Sequence, residues 1–302
     1  MTKKNVLITG ASGFIGSHVA REFYSQGWNV VGIGRGELDN WRSYGMSAWH
    51  CCDVTLDTLT TYAGKQDVIV HCAGGASVEF SVLRPYQDFI KTVDTMAQVL
   101  EFIRSHSPQT KLIYPSSAAV YGQAIELPIR ESAPLKPISP YGTYKLMGEQ
   151  LCQLYASRYK LSIAVIRLFS IYGVGLKKQL LWDACNKLSE GCPDFFGTGE
   201  ETRDWLHVGD AAHLIELAVA SASTECPILN GGSGKGVTNK EILLYLAEKL
   251  DIRLAPRFSA AIKEGDPSVY IADISKARSL NWRPDIDWRQ GVSEYAEWFR
   301  QC

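Results

Sequence analysis

With 302 residues, 46% of them hydrophobic, the chain is long enough to bury a sizeable core in one large or two closely joined domains. Its 31 Lys and Arg set against 32 Asp and Glu give a net charge of -1 with both signs interspersed, which excludes the basic footprint of a nucleic-acid binder. No run approaches about 18 apolar residues, and Met1-Thr-Lys-Lys leads straight into a short strand, so neither a membrane span nor a leader is expected and the cytoplasm is the expected compartment.

The first element is the apolar strand Val6-Leu7-Ile8-Thr9. It runs into Gly10-Ala-Ser12-Gly13-Phe14-Ile15-Gly16 and then into a helical pattern over Phe14 to Tyr24. Glycines at a strand-to-helix turn allow a tight bend and close backbone approach. The helix N-terminus supplies open N–H groups and partial positive charge, a combination suited to a dinucleotide pyrophosphate.

From residue 5 to about 168, β-rich runs alternate with longer helical patterns, the signature of a doubly wound parallel sheet covered on both faces. Strands are expected at about 5–9, 29–33, 47–51, 67–72, 111–115 and 162–168. Ligands of such sheets sit beyond the carboxyl ends of the strands. That edge receives Gly10, Gly34, Asp53, Ala73, Gly74, Ser117 and Arg167 to Ser170. The eight cysteines and six histidines show no CxxC pair and no zinc spacing, so reduced, mostly buried thiols and no metal site are expected.

Ser139-Pro140 opens an amphipathic run to Tyr159, with serine suited to the N-cap and proline to the first helical position. Tyr141 and Lys145 then share a helix face one turn apart. A phenol of ordinary pKa needs about 4 kcal/mol of preferential phenolate stabilisation to titrate roughly three units lower. A neighbouring ammonium and a cationic nicotinamide supply it. Ser117, at the end of the preceding strand, is placed to hold a substrate oxygen near Tyr141. Tyr245 and Lys249 repeat the spacing without such a serine and read as a helix-surface contact.

After residue 170 the pattern loosens into helices near 177–190, 209–222, 238–250 and 288–300 with short extended pieces between them, a smaller mixed α/β cap. The domains are accordingly placed at 1–169, for the dinucleotide, and 170–302, for the substrate, with part of about 205–225 packing back on the first. Gly231 to Gly236 lacks the spacing and the Ser or Thr of a phosphate loop and reads as a strand-to-helix loop.

Five motifs in order resemble the extended short-chain dehydrogenase/reductases, specifically the nucleotide-sugar epimerase, dehydratase and reductase group. They are Thr9-Gly10-x-x-Gly13-x-x-Gly16, Ser116-Ser117-Ala-Ala-Val-Tyr121-Gly122, Tyr141-Gly-Thr-Tyr-Lys145, Arg167-Leu-Phe-Ser170-Ile-Tyr-Gly173 and Arg203-Asp204-Trp-Leu-His-Val-Gly-Asp210. The resemblance covers nearly the whole chain. It implies a Rossmann domain, catalytic roles for Ser117, Tyr141 and Lys145, contact of Asp53 and Val54 with adenine, and cofactor-lining roles for Ala73 and Gly74. It also implies that Arg203 contacts a sugar-nucleotide diphosphate, with Tyr121, Ser170, Lys263 and Asp266 at the substrate. A homodimer packed through helices near 84–106 and 140–159 and a setting in polysaccharide biosynthesis follow by analogy.

Several positions depart from the group's pattern. Ala118 and Ala119 stand where dehydratases carry an acid pair, and two methyl groups cannot protonate a leaving hydroxyl. Gly34-Arg35 replaces the acidic residue that binds the adenosine ribose of NAD, which favours NADP, with NAD as the alternative. Thr92 and Ser170 replace asparagines, and Lys263 replaces an arginine, giving a point charge in place of a bidentate fork. Lys177, Lys178 and Gln179 are either substitute phosphate contacts or a solvated helix start. The reading is an NADP(H)-dependent reductase of a 4-keto sugar nucleotide. The alternatives are an NAD-dependent nucleotide-sugar 4-epimerase and a non-catalytic cofactor sensor.

Overall fold

The computed structural model describes residues 3–260 and 268–302. Six apolar runs form strands where expected: β1 (Asn5–Thr9), β2 (Asn29–Gly34), β3 (Met46–Cys51), β4 (Val68–His71), β5 (Lys111–Ser117) and β6 (Ile163–Leu168). All pair in parallel, and the interior strands are buried on both faces, which is why they read as unbroken apolar runs.

The connections are α1 (Phe14–Ser25), α2 (Leu56–Tyr62), the helical run α3 (Val78–Leu83), α4 (Pro85–Phe89) and α5 (Thr95–His106), and α6 (Pro140–Tyr159). A π turn, Ile90–Asp94, joins α4 to α5. Ser139 caps α6 as its sequence predicts: its hydroxyl accepts the Gly142 N–H at 3.2 Å, and Pro140 opens the helix.

Beyond β6 the chain forms β7 (Ser170–Tyr172), α7 (Gln179–Ser189), β8 (Asp194–Phe195), β9 (Thr202–His207), α8 (Val208–Ser221), β10 (Ile228–Gly231), β11 (Gly236–Thr238), α9 (Asn239–Lys249), β12 (Arg257–Phe258), α10 (Ser275–Ser279) and α11 (Trp288–Phe299). One of these was not expected in the main sheet. β10 pairs with β6 from Ile228 against Val165 to Gly231 against Leu168, making a seventh strand in the order β10-β6-β5-β4-β1-β2-β3. Four residues ending in glycine carry too little periodicity to announce an edge strand. Helix α8 packs across α1.

β9 forms a second small sheet between β7 and β11. Tyr172, Leu181, Trp205, Leu243 and Tyr295 share an apolar core there with α7, α9 and α11. Tyr245 and Lys249 lie on α9, with the ammonium 4.9 Å from the ring centroid and the phenol bonded to Ser293, the helix-surface contact expected of them. Among the described residues no helix is long and apolar enough to cross a membrane.

Candidate active site

The chain leaves β1 for β2 on one side and returns to β4 on the other, so the sheet reverses its winding beside β1. That is where doubly wound sheets open a ligand crevice. A cleft of about 1730 Å³ lies there. Its floor begins at the glycine turn. Gly10 has φ +68°, and a Cβ on it would stand 2.7 Å from the Ala73 nitrogen, so the ends of β1 and β4 close together only over glycine. A Cβ on Gly16 would lie 2.2 Å from the Gly10 carbonyl oxygen. Gly13 begins α1 without a side-chain cap, leaving first-turn N–H groups facing the cleft, which Ser12, Phe14 and Ile15 also line. A helix start with glycines at each close approach fits a pyrophosphate, and by this test the residues fit a dinucleotide.

Ser117, Tyr141 and Lys145 line the same cleft, as do Ala73 and Gly74, and a Cβ on Gly74 would lie 3.9 Å from the Lys145 Nζ. β5 delivers Ser117 and the capped first turn of α6 delivers Tyr141, whose backbone N–H donates to the Ser81 hydroxyl at 3.0 Å. The Lys145 ammonium lies 6.0 Å from the Tyr141 ring centroid and donates to the Pro115 carbonyl at 3.1 Å. Burial pushes the Tyr141 phenol up, against the pull of its hydrogen bond to Ser117. Burial also lowers Lys145 to about 8. The protein alone therefore holds the phenol protonated, and a cationic ring beside it would lower its pKa.

Arg35, Asp53 and Val54 also line the cleft. Arg35 Nε lies 3.9 Å from Asp53 Oδ1, with the two side chains 65% and 76% exposed. The guanidinium that favours a 2′-phosphate thus has a carboxylate beside it, and a phosphate there would meet both charges. On the substrate side Ser170 and Arg203 reach the cleft, as do Lys178 and Gln179. Lys177 instead lies over the rings of Trp182 and Trp298. Lys263 and Asp266 fall outside the described residues.

Tyr121 does not reach the cleft. It is buried, donating to Asn230 Oδ1 at 2.6 Å and accepting from Arg167 Nη1 at 3.0 Å, because the turn after β5 folds it against the core. Arg167 in turn donates to Glu149 through Nε and Nη2, the latter at 2.7 Å, and Ser116 donates to Glu149 at 2.6 Å. This buried network fixes β5, β6 and α6 directly behind Ser117 and Lys145.

Two further features escaped the sequence reading. Glu149 stands one turn after Lys145 on the same face, a spacing that could have signalled it. Asp204 was legible only as Arg203's neighbour. Strand alternation sends Arg203 and Trp205 to the cleft and buries Asp204, which accepts from Ser233, Gly234 and Ala272 and so pins the loop after β10.

With this geometry in place, known proteins give the lineage. The family model for the NAD dependent epimerase/dehydratase family matches residues 6–230. A putative UDP-glucose 4-epimerase of Methanocaldococcus jannaschii is 28% identical over 303 residues, covering 98% of each chain. The solved UDP-N-acetylglucosamine 4-epimerase of Methanobrevibacter ruminantium, in complex with UDP-N-acetylmuramic acid, superposes with a TM-score of 0.89 at 25% identity, covering 100% of this chain and 99% of its own. The UDP-glucose 4-epimerase of Thermus thermophilus, in complex with NAD, gives 0.86 at 26% identity over 98% and 99%. A reductase using NADPH finds no support among these proteins, and epimerisation with NAD matches them better. The chain belongs to the NAD-dependent epimerase/dehydratase family and is an NAD(P)-dependent enzyme of the extended short-chain dehydrogenase/reductase type.

Proposed function

We propose that this chain is an NAD-dependent 4-epimerase of a UDP-hexose. The observation that carries the reading is that Ser117, Tyr141 and Lys145 line a single cleft together with the glycine turn. Bound NAD supplies a reversible hydride acceptor beside the sugar. The Tyr141 oxygen takes the proton of the sugar 4-hydroxyl as that carbon is oxidised and returns it on re-reduction at the opposite face. Ser117 holds the same oxygen, and Lys145 keeps positive charge beneath the phenol. The methyl groups of Ala118 and Ala119, both on the cleft wall, offer no acid for expulsion of a hydroxyl, which supports epimerisation over dehydration.

The substrate end supports a diphosphate ligand. Arg203 on β9 and Lys178 just before α7 bring positive charge to the cleft, which Ser170 also lines. NAD is favoured over NADP by the carboxylate of Asp53 beside Arg35 and by the NAD complex of the Thermus relative. Residues 1–169 hold the dinucleotide in this reading, with α8 and β10 completing their layers, and the rest of 170–302 shapes the sugar site.

A homodimer completes the reading. Leu83 and Tyr86 on α3 and α4, and Leu154 and Tyr159 on α6, are 68%, 73%, 52% and 46% exposed on neighbouring helices. A second copy laid across these helices would cover that apolar surface, with sedimentation as the test.

The experiment is to denature purified protein, identify the released dinucleotide, and incubate native protein with UDP-glucose, UDP-N-acetylglucosamine and UDP-glucuronic acid. Retained NAD and appearance of a 4-epimer without net change in reduced nicotinamide are expected. Oxidation of added NADPH by a keto sugar nucleotide would overturn the reading.

A further inference from the structure

One carboxyl group near the cleft has no role in the chemistry above. Asp88 on α4 is fully buried, and neither of its oxygens has a hydrogen-bond partner among the described residues. Gly75 covers it: a Cβ there would lie 1.9 Å from Asp88 Oδ1, so only glycine lets the loop after β4 close onto the carboxyl. The helix widens into its π turn just after Asp88, and Thr92 in that turn accepts the Gly75 N–H at 2.8 Å. Such single-turn bulges recur at functional sites.

The same loop touches Lys145. A Cβ on Gly74 would lie 3.9 Å from the Lys145 Nζ and 3.7 Å from the Thr92 hydroxyl. The groups facing this buried ammonium are Tyr141 and Glu149 of α6, Tyr114 of β5, His71 of β4, Cys72 just after it, and Asp88. Most offer no counter-charge. The Cys72 thiol is pushed up to about 12, Tyr114 is raised well above its ordinary value, Tyr141 is raised, and His71 is lowered to about 3, so all four are neutral near pH 7. Glu149 is engaged with Arg167 and Ser116. Burial raises the Asp88 carboxyl, and Lys145 and Lys91 facing it pull it back down, the Lys91 ammonium lying over the Phe80 ring. A buried charge without hydrogen bonds tends to neutralise, and an opposite charge facing it opposes that.

We propose that Asp88 is a positioning residue: its unpaired carboxylate, packed behind Gly75, is the counter-charge that keeps Lys145 an ammonium beneath Tyr141. Burial alone favours neutral lysine, and Asp88 opposes that. The two loop glycines then let the loop after β4 pack against the carboxyl at Gly75 and against the ammonium at Gly74.

The test needs no substrate, so its failure would leave the proposed epimerisation untouched. Lysine carrying ¹³C at Cε is incorporated, the Lys145 signal is assigned by its loss in Lys145→Met, and its titration is followed by NMR in wild type and Asp88→Asn. The expected result is a fall of about one pH unit or more in the Lys145 midpoint, the size of effect an opposite charge exerts at close range. An unchanged midpoint overturns the proposal, even if the variant melts lower, because packing loss alone does not move that midpoint. If Asp88→Asn does not fold, ¹³Cγ-aspartate in the wild type decides. An Asp88 carboxylate at pH 7 whose signal shifts again as Lys145 loses its proton at higher pH is expected, and an Asp88 already protonated at pH 7 overturns it.

Discussion

The two ends of the cleft differ in how firmly they hold their charges. At the catalytic end Lys145 is 7% exposed, bonded to the Pro115 carbonyl, and backed by a buried ion pair between Glu149 and Arg167 whose side chains are each 1% exposed. Where the proposed dinucleotide would place its adenosine, Arg35 and Asp53 stand 3.9 Å apart in solvent. A buried charge has its position dictated by packing, and its pKa moves with its surroundings. An exposed guanidinium keeps its freedom and has its charge screened. Residue identity therefore constrains the chemistry tightly at the first end. At the second, Arg35 read without its neighbour pointed to NADP.

The sharpest way to probe this contrast is to remove the phenol oxygen. Tyr141→Phe is expected to lower turnover about 1000-fold, the scale of a lost general acid–base, while retaining dinucleotide after gel filtration. Turnover within a few-fold of wild type would remove Tyr141 from the mechanism.

Next in size is the support behind the catalytic end. Glu149→Gln leaves Arg167 buried without a full counter-charge and is expected to destabilise the fold by about 3 kcal/mol, read from urea unfolding. A change below about 1 kcal/mol would mean that the network is not what fixes α6 behind the site.

Acid should weaken the same region. His71 is lowered to about 3 and His18 to about 4, both chiefly by burial. Each stays neutral in the folded state while the unfolded chain binds a proton below about pH 6.5, so stability falls as pH drops from about 6.5 towards 4. His71 donates or accepts at Thr9 across 2.7 Å, and its protonation breaks that arrangement or charges the interior. A loss of about 2 kcal/mol for each histidine, or about 4 kcal/mol for the two, by about pH 5 is expected in melts corrected for the carboxylates. His71→Gln should flatten part of that slope, and an equal slope in the variant would contradict the assignment.

The smallest effect belongs to the exposed end. Arg35→Ala is expected to change NAD affinity less than about fivefold, since an exposed ion pair contributes under about 1 kcal/mol. Calorimetry with NAD and NADP on stripped protein would check it. A large selective loss for NADP would restore Arg35 as a phosphate reader.

Much of the fold was legible because the signals were local and repeated. Six strands, the capped start of α6 and the cap helices follow from periodicity and from Ser139-Pro140, and each lies within about two residues of its expected place. The glycine turn was legible because only glycine permits φ +68° with Ala73 packed so close. What stayed hidden depended on partners distant in sequence. β10 has four residues and becomes a strand only through its register with β6. Tyr121 carries a motif signature, yet Asn230 and Arg167, 109 and 46 residues away, draw it into the core.

The sequence by itself determined the alternation of strands and helices, the dinucleotide turn and the spacing that puts Tyr141 above Lys145, because each is set by backbone preference and helical period within a few residues. Tertiary structure alone decided which charges are paired and which stand unpaired. Burial of Asp88 behind Gly75, the engagement of Glu149 by Arg167 and the meeting of Arg35 with Asp53 join separate elements of the fold. Desolvation and charge pairing depend on distance in space, and no window of sequence contains that distance.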